Sequence, residues 1–367
     1  MQLSDPKIRD AIEEDECFIF QSLTDIIALE SGRKDILQLQ EQDAQGFIDL
    51  IQMALDRNKL QDVELQRIAQ RLVMKLCEKA NTLPSSLVIE GVELRERDAI
   101  YGGGFADIYR GSYQGKDVAL KRMRIFQRGQ DRQKMHKNLC REALIWQRLQ
   151  HPHVLPFLGV DSSTFAPFLC MISPWMQHGT IMKHLEENGS VNISRRLFEV
   201  ALGLEYLHSQ NIVHGDLRGG NILVNDEWQA CLADFGLTIV SEATVATFTS
   251  HTHGSTRWMA PELHDPESFN LLRSVRTPAS DIYSFACVCL EIFTGRAPFH
   301  DTPNNTTVIL KVLKGQRPKR PRTAGQRAMP DETWKLVERC WSHQPWYRPT
   351  TREVVNIMRR HEPSLSL

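Results

Sequence analysis

The stretch from His214 to Asn221 places three chemically useful side chains within six positions. Asp216 supplies a carboxylate, which is suited to accept or orient the proton of a reacting hydroxyl. Arg218 supplies a guanidinium suited to a phosphate, and the amide oxygen of Asn221 is the type of ligand that Mg²⁺ prefers. A helical pattern precedes this stretch and the β-prone run 222–224 follows it, so we expect a loop. The alternative is a solvated turn without chemistry.

A further carboxylate follows the β-prone run 230–233. Asp234 precedes Phe235 and Gly236, and an Asp at the end of a strand is suited to hold Mg²⁺. The glycine permits an unusual backbone conformation at this point. The alternative is that a tripeptide of this composition occurs by chance.

Three consecutive glycines, Gly102, Gly103 and Gly104, lie between β-prone segments. A backbone without Cβ atoms can pass close to phosphate oxygens, which predicts a phosphate-binding loop. A tight hairpin turn explains the same residues equally well.

Lys121 ends the β-prone run 118–121, and its ammonium needs a counter-charge if it points into a cleft. Glu142, on a helix predicted over about 138–149, could supply that charge. The alternative is that both are ordinary surface residues. A buried Glu262 would likewise need a cationic partner such as Arg348.

The elements that must position these residues change in type along the chain. Up to about Leu83 the pattern is helical: we expect one helix capped by Asp35 and running through Asp56, and a second that begins near Asp62. The segment 82–86 then breaks the helix. Short strands follow, and helices dominate later, which predicts an α+β fold.

Composition excludes several classes of protein. The formal net charge is −1, so no overall field favours nucleic acid or an anionic membrane. The eight cysteines show no C-x-x-C pair and no zinc spacing, and the first ten residues are too polar for a secretory signal. The apolar stretch 285–293 is too short to span a bilayer and predicts a buried helix. We therefore expect a soluble protein of the reducing cytoplasm, without membrane insertion.

In this order, the segments resemble the signature set of the protein kinases: a glycine-rich loop and the motifs V-A-I-K, H-R-D, D-F-G and A-P-E. Residues 257–262, 281–286 and 340–350 are similar to the tyrosine-kinase-like group. The H-G-D-L-R-G-G-N variant with its Gly-Gly-Gly-Phe loop resembles the expanded kinases of mushroom-forming fungi. The resemblance covers about residues 87–360.

The resemblance implies a small β-rich N-lobe, a larger helical C-lobe and ATP bound between them. It implies a helical N-terminal region at 1–83 and a kinase domain at 84–362, with the N-lobe at about 84–173 and the C-lobe at about 177–362. The implied activity is Mg²⁺-ATP-dependent transfer of phosphate to Ser or Thr of protein substrates in intracellular signalling. Transfer to Tyr stays open, as does a partner for the N-terminal helices.

The resemblance also implies roles for individual residues. Lys121 would contact the α- and β-phosphates and pair with Glu142, while Asp216 would take or orient the substrate proton. Asn221 and Asp234 would hold Mg²⁺, and Arg218 would contact the γ-phosphate. The adenine site would comprise the apolar residues Ile108, Ala119 and Leu223, the gatekeeper Ser173, and the hinge residues Pro174 and Met176.

Three positions depart from the kinase pattern. Tyr101 and Ala106 occupy the first and third glycine positions of the loop, and Gly215 replaces the Arg before the catalytic Asp. Without that Arg, we expect activity that does not depend on phosphorylation of the activation loop.

Two alternatives stay open. One is a pseudokinase, a scaffold that binds nucleotide without turnover, although Lys121, Glu142, Asp216, Asn221 and Asp234 are all present. In the other, the N-terminal helices carry the function and the kinase acts as their switch.

Overall fold

The computed structural model describes residues 6–102, 106–124, 130–188, 192–235, 238–239, 255–321 and 328–361. The chain forms two compact units. Unit 1 contains residues 1–148 and 157–173, and unit 2 contains residues 149–156 and 174–367. The expected α+β class, with a β-sheet N-lobe, a helical C-lobe and preceding N-terminal helices, is confirmed.

Unit 1 begins with four helices: α1 (Pro6–Ala28), α2 (Glu30–Ile36), α3 (Glu41–Asp56) and α4 (Val63–Ala80). The predicted second helix is confirmed, because Asp62 caps α4 by accepting a hydrogen bond from the backbone N–H of Glu64. The predicted cap at Asp35 is wrong. Asp35 lies inside α2, and α3 begins after Gln40, because a short separate helix forms where one continuous helix was expected.

The predicted break after α4 is confirmed: Asn81 adopts a left-handed conformation and ends the helix. The chain then enters a six-stranded sheet of order β1-β3-β4-β6-β5, with β2 paired to β3. The strands are β1 (Glu93–Leu94), β2 (Tyr101–Gly102), β3 (Ala106–Tyr113), β4 (Lys116–Met123), β5 (Gly159–Asp161) and β6 (Cys170–Pro174). One helix, α5 (Gln130–Trp146), connects β4 to β5 and begins eight residues earlier than expected.

Unit 2 is mainly helical. It contains α6 (Ile181–Asn188), α7 (Ile193–Ser209), β7 (Ile212–Val213), β8 (Ile222–Val224), β9 (Ala230–Leu232), β10 (Thr238–Ile239), α8 (Pro261–His264), α9 (Pro278–Thr294), α10 (Asn305–Leu313), α11 (Asp331–Cys340) and α12 (Thr351–His361). Two short hairpins pair β8 with β9 and β7 with β10.

Helix α9 runs through the core of unit 2. Thr277 caps its N-terminus in a reciprocal pair with Ser280, and Gly295 ends it with a φ of 68°. Nearly every residue between Asp281 and Phe293 is buried, which confirms the predicted buried helix. Asp281 and Glu291 are buried carboxylates on this helix.

All eight cysteines are free thiols, and only Cys17 is exposed. In the part of the chain that the structure describes, no helix has both the length and the apolar character needed to cross a bilayer.

Candidate functional site

In unit 1, the β3–β4 ladder separates a core face from a functional face. Ile108 pairs with Lys121, and Arg110 pairs with Ala119, so Ile108, Ala119 and Lys121 share one face of the sheet. The alternating residues Tyr109 and Leu120 lie on the other face, in the hydrophobic core. The two-residue period of the strands thus places Ile108, Ala119 and Lys121, which the kinase resemblance implies bind nucleotide, on one face.

The predicted lysine–glutamate pair is formed. The Nζ atom of Lys121 lies 2.9 Å from Oε1 of Glu142, and the two side chains are only 16% and 20% exposed. Helix α5 presents Glu142 to the end of β4. An ion pair at this degree of burial holds the ammonium in one place, since solvent screens it less than a surface pair.

Strand β6 ends at the predicted hinge. Cys170 and Ile172 pack in the core with Tyr109, so strand alternation places Ser173 on the opposite face of the sheet. Ser173 is buried. The chain passes from unit 1 to unit 2 between Ser173 and Pro174. In unit 2, Met176 and Leu223 are half-buried.

Of the predicted glycine loop, only Gly102 lies within the described residues; Gly103 and Gly104 lie outside them. Gly102 pairs with Asp107 across the β2–β3 hairpin, and a Cβ on it would lie 2.8 Å from Nη2 of Arg124. Arg124 donates hydrogen bonds to Asp107 at 2.8 and 2.6 Å, which lower the pKa of that carboxyl. Side-chain bulk would therefore disturb an ion pair at the base of the loop.

Asp281 holds the start of the loop 214–221. Its carboxylate accepts hydrogen bonds from the backbone N–H groups of His214 at 2.7 Å and Gly215 at 2.8 Å. Nε2 of His208 lies 2.9 Å from the same carboxylate. Burial lowers the pKa of His214, which favours its neutral form. In the sequence, Asp281 is part of the motif 281–286, and nothing there indicates that it supports the loop.

Glu291 holds the other end of that loop. Its Oε2 accepts a hydrogen bond from the backbone N–H of Gly219 and another from Nε1 of Trp258, each at 2.8 Å. Burial raises the pKa of Glu291, and these hydrogen bonds oppose that rise. Asp281 and Glu291 thus attach both ends of the loop to one rigid helix, α9.

Asp216, Asn221 and Asp234 lie close together in unit 2. The Nδ2 atom of Asn221 donates to the backbone oxygen of Asp216 at 2.8 Å and to its Oδ2 at 3.0 Å. The pairing of Ile222 with Leu232 brings the two ends of the β8–β9 hairpin together. The backbone N–H of Ala233, the residue before Asp234, donates to the backbone carbonyl oxygen of Asn221 at 2.9 Å.

This donor set fits a divalent cation that prefers oxygen ligands. The amide nitrogen of Asn221 is used by Asp216, so the amide oxygen is the group left for a metal. Asp234 is exposed and has a φ of 51°, a rare conformation for a residue other than glycine. Oδ1 of Asp216 is buried without a hydrogen-bond partner among the described residues. A bound ion or a substrate hydroxyl would satisfy such an atom.

Arg218 lies beside this cluster, with its Nε 3.7 Å from Oδ2 of Asp216. The side chain is 38% exposed, so the guanidinium can reach solvent or a ligand. A shallow hollow beside Asp216 is lined by Ser255, Trp258 and Ser284.

The side chain of Arg276 lies against Gly215. A Cβ at position 215 would be 2.7 Å from Cδ of Arg276, and the φ of Gly215 is 74°. Nothing in the sequence could have placed Arg276 there, because the two residues are far apart along the chain.

The predicted partnership of Glu262 and Arg348 is confirmed. Nη1 and Nη2 of Arg348 donate to Oε1 and Oε2 of Glu262 at 2.6 and 2.7 Å, and both side chains are almost fully buried. This bidentate pair connects α8 to the segment before α12.

The sequence profile of the family described as "Protein tyrosine and serine/threonine kinase" matches residues 94–358. The serine/threonine/tyrosine-protein kinase HT1 of Arabidopsis thaliana is 30% identical over 266 residues, which cover 71% of this chain and 64% of HT1. Two serine/threonine-protein kinases of the same plant, STY46 and CTR1, are each 29% identical. Those matches cover 70% of this chain and 42% of STY46, and 73% of this chain and 31% of CTR1. The chain therefore spans less than two thirds of the length of each relative.

Proposed function

This chain belongs to the protein tyrosine and serine/threonine kinase family, and we propose that it transfers the γ-phosphoryl group of Mg²⁺-ATP to Ser and Thr hydroxyls of protein substrates. The observation that carries the proposal is the hydrogen bond between Asn221 and Asp216, which joins a proposed metal ligand to the proposed catalytic carboxylate. The formed pair of Lys121 and Glu142 supports it from unit 1.

Asp216 would act through the carboxylate oxygen that no described residue binds. Its Oδ1 has no hydrogen-bond partner among the described residues, whereas its Oδ2 is held by Asn221. A carboxylate held in this way can orient a substrate hydroxyl with the remaining oxygen and accept its proton.

Asn221 and Asp234 would hold the magnesium ion through an amide oxygen and a carboxylate. When bound, Mg²⁺ neutralises charge that develops between the β- and γ-phosphates. Arg218, which is partly exposed beside Asp216, would contact the γ-phosphate and take up part of the same charge.

Nucleotide binding would use the functional face of the β3–β4 ladder. Lys121, held by Glu142, would contact the α- and β-phosphates. Ile108 and Ala119, on the same sheet face, would pack against adenine. Leu223, the buried Ser173 and the hinge residues Pro174 and Met176 would complete that site, with Gly102, Gly103 and Gly104 over the phosphates.

The finer assignment is also our proposal. Motifs at 257–262 and 281–286 support a place in the tyrosine-kinase-like group and near the expanded kinases of mushroom-forming fungi. Ser/Thr specificity is supported by the loop D-L-R-G-G-N, which lacks the Ala-Ala-Arg or Arg-Ala-Ala typical of tyrosine kinases. Unpaired thiols support a reducing, cytoplasmic setting. We propose a signalling role there, as the kinase resemblance implies. We propose domain limits of 1–83 and 84–362.

The test is phosphorylation of a mixed Ser, Thr and Tyr peptide library, with the sites mapped by mass spectrometry. We expect phosphate on Ser and Thr, and a loss of about 100-fold or more in turnover for Asp216→Asn and Asp234→Asn. The matched control is Asp226→Asn, an exposed residue in the turn of the same β8–β9 hairpin. A folded wild-type protein that binds ATP without any transfer would overturn the proposal and indicate a pseudokinase.

A further inference from the structure

Helix α5 carries two ion pairs on consecutive residues. Arg141 pairs with Glu78 of α4: its Nη2 and Nε lie 2.6 and 3.1 Å from Oε1 of that carboxylate. The next residue, Glu142, pairs with Lys121 of β4 at 2.9 Å. One helix is therefore connected on one side to the proposed nucleotide site and on the other to the N-terminal helices.

The contact between α4 and α5 extends beyond that ion pair. Helix α4 packs against α5, and Leu76, Cys77 and Cys140 are almost completely buried. Burial raises the pKa of Cys140 to about 12, and the nearby carboxylate of Glu78 adds to that rise. Burial also raises the pKa of Cys77, and the neighbouring Cys140 adds to that rise. The charged pair thus lies at the edge of a dry apolar contact.

Helix α4 is itself held firmly within unit 1. It packs against α3, and the segment that follows it is attached to α3 by side-chain hydrogen bonds. The carboxylate of Asp49 accepts from the backbone N–H of Ser85 at 2.7 Å and from its hydroxyl at 2.8 Å. The hydroxyl of Thr82 donates to Gln45 at 2.6 Å. Movement of α4 would have to break this network.

Two lateral ion pairs restrict the rotation of a helix about its axis. Consecutive residues of an α-helix point about 100° apart, so Arg141 and Glu142 face different neighbours. A rotation of α5 that separates Arg141 from Glu78 also moves Glu142 away from Lys121. The rotation that aligns Glu142 therefore depends on the position of Glu78.

We infer that α4 is a positioning element, in which Glu78 acts through Arg141 to hold α5 in the rotation that pairs Glu142 with Lys121. The inference rests on the proposed kinase function for its effect on catalysis. By this inference, the N-terminal helices structurally support the proposed nucleotide site within unit 1. Glu78 touches no substrate and is a positioning residue only.

The experiment uses charge reversal in the full chain. Glu78→Arg and Arg141→Glu are each expected to raise the KM for ATP and to lower kcat/KM by about tenfold or more, equivalent to about 1.4 kcal/mol. The double variant Glu78→Arg/Arg141→Glu restores the pair in reverse and should return to within about threefold of wild type. Lys75→Glu, a charge reversal at an exposed position of α4, is the control and should have no effect.

A second measurement does not need activity. Hydrogen exchange of the α5 amides should be faster in each single variant and return to the wild-type rate in the double variant. Wild-type exchange and kinetics in both single variants would overturn the inference, and so would a double variant as impaired as the worse single one. If the double variant restores wild-type exchange but the protein transfers no phosphate, only the proposed function is overturned.

Discussion

The side chain of Arg276 occupies the space beside Gly215 that a larger residue before Asp216 would need. An ideal Cβ at position 215 would lie 2.7 Å from Cδ of Arg276, and the backbone there has a φ of 74°. Many kinases carry an arginine at this position, whereas here the guanidinium next to the loop 214–221 comes from the segment before α9. Arg276 has no hydrogen bond or ion pair with any residue in the described part of the chain.

Gly215→Ala should lower the free energy of unfolding by about 1–2 kcal/mol, because an L-residue is strained in the left-handed region. The contact with Arg276 adds to that loss. The double variant Gly215→Ala/Arg276→Ala should recover the stability lost through the contact with Arg276. It should not recover the stability lost through the strained backbone at position 215. Urea unfolding of the two variants and of Arg276→Ala alone measures both parts. An alanine at 215 with wild-type stability would show that the backbone relaxes freely.

Activity should not require phosphorylation of the activation loop, because Gly215 has no side chain to pair with a phosphate. The hydroxyls concerned lie outside the described residues: Thr244, Thr247, Thr249, Ser250 and Thr252. We expect kcat/KM to stay within about threefold after phosphatase treatment and in a variant with all five changed to Ala. A loss of about 100-fold would contradict this. If this loss of kcat/KM were absent in the Arg276→Ala variant, Arg276 would be identified as the phosphate-binding cation.

Ser173→Met should weaken ATP-site inhibitors that carry a bulky aryl group, while the KM for ATP changes little. Ser173 is small and buried at the end of β6, so a longer side chain would fill the space behind adenine. Inhibitor dissociation constants and the KM for ATP, measured on both proteins, test this. Ser162→Met, at an exposed position of unit 1, is the control. Equal inhibitor affinities would mean that the gatekeeper has been assigned to the wrong residue.

Glu262→Gln should lower the free energy of unfolding by about 3–5 kcal/mol, since it leaves the buried Arg348 without its anion. The control is Glu332→Gln. The partner of Glu332, Lys335, is exposed, so the loss of stability in this variant should stay below about 1 kcal/mol. Denaturant unfolding of both variants gives the two values. Similar losses would show that the buried pair contributes no more than a surface pair.

Stability should fall between about pH 6.5 and pH 4 in part because of His151. Burial, with a smaller effect from His153, lowers the pKa of His151 from 6.5 to about 4. Over this range the unfolded chain binds a proton that the folded protein does not, so acid favours unfolding. His151→Asn should therefore lose less stability than wild type between pH 7.5 and pH 5, measured by urea unfolding. Parallel losses in both proteins would assign the acid sensitivity to other groups.

The sequence predicted most of the secondary structure near the proposed site, because strand period and capping are local properties. The cap of α4 is predictable because Asp62 and the backbone N–H of Glu64 lie two residues apart in the chain. The cap expected at Asp35 failed because apolar periodicity alone does not reveal where one helix ends and another begins.

By itself, the sequence determined which side chains are candidates for chemistry, because the loop 214–221, the proposed magnesium ligands and the strand lysine each lie in a short contiguous motif. It also identified Glu142 and Arg348 as partners, since a buried charge needs an opposite one. Only the tertiary structure decided what holds these motifs in place. Asp281 supports Gly215 across 66 residues, and Glu78 meets Arg141 across 63. Such contacts depend on how helices pack, and local propensity does not predict them.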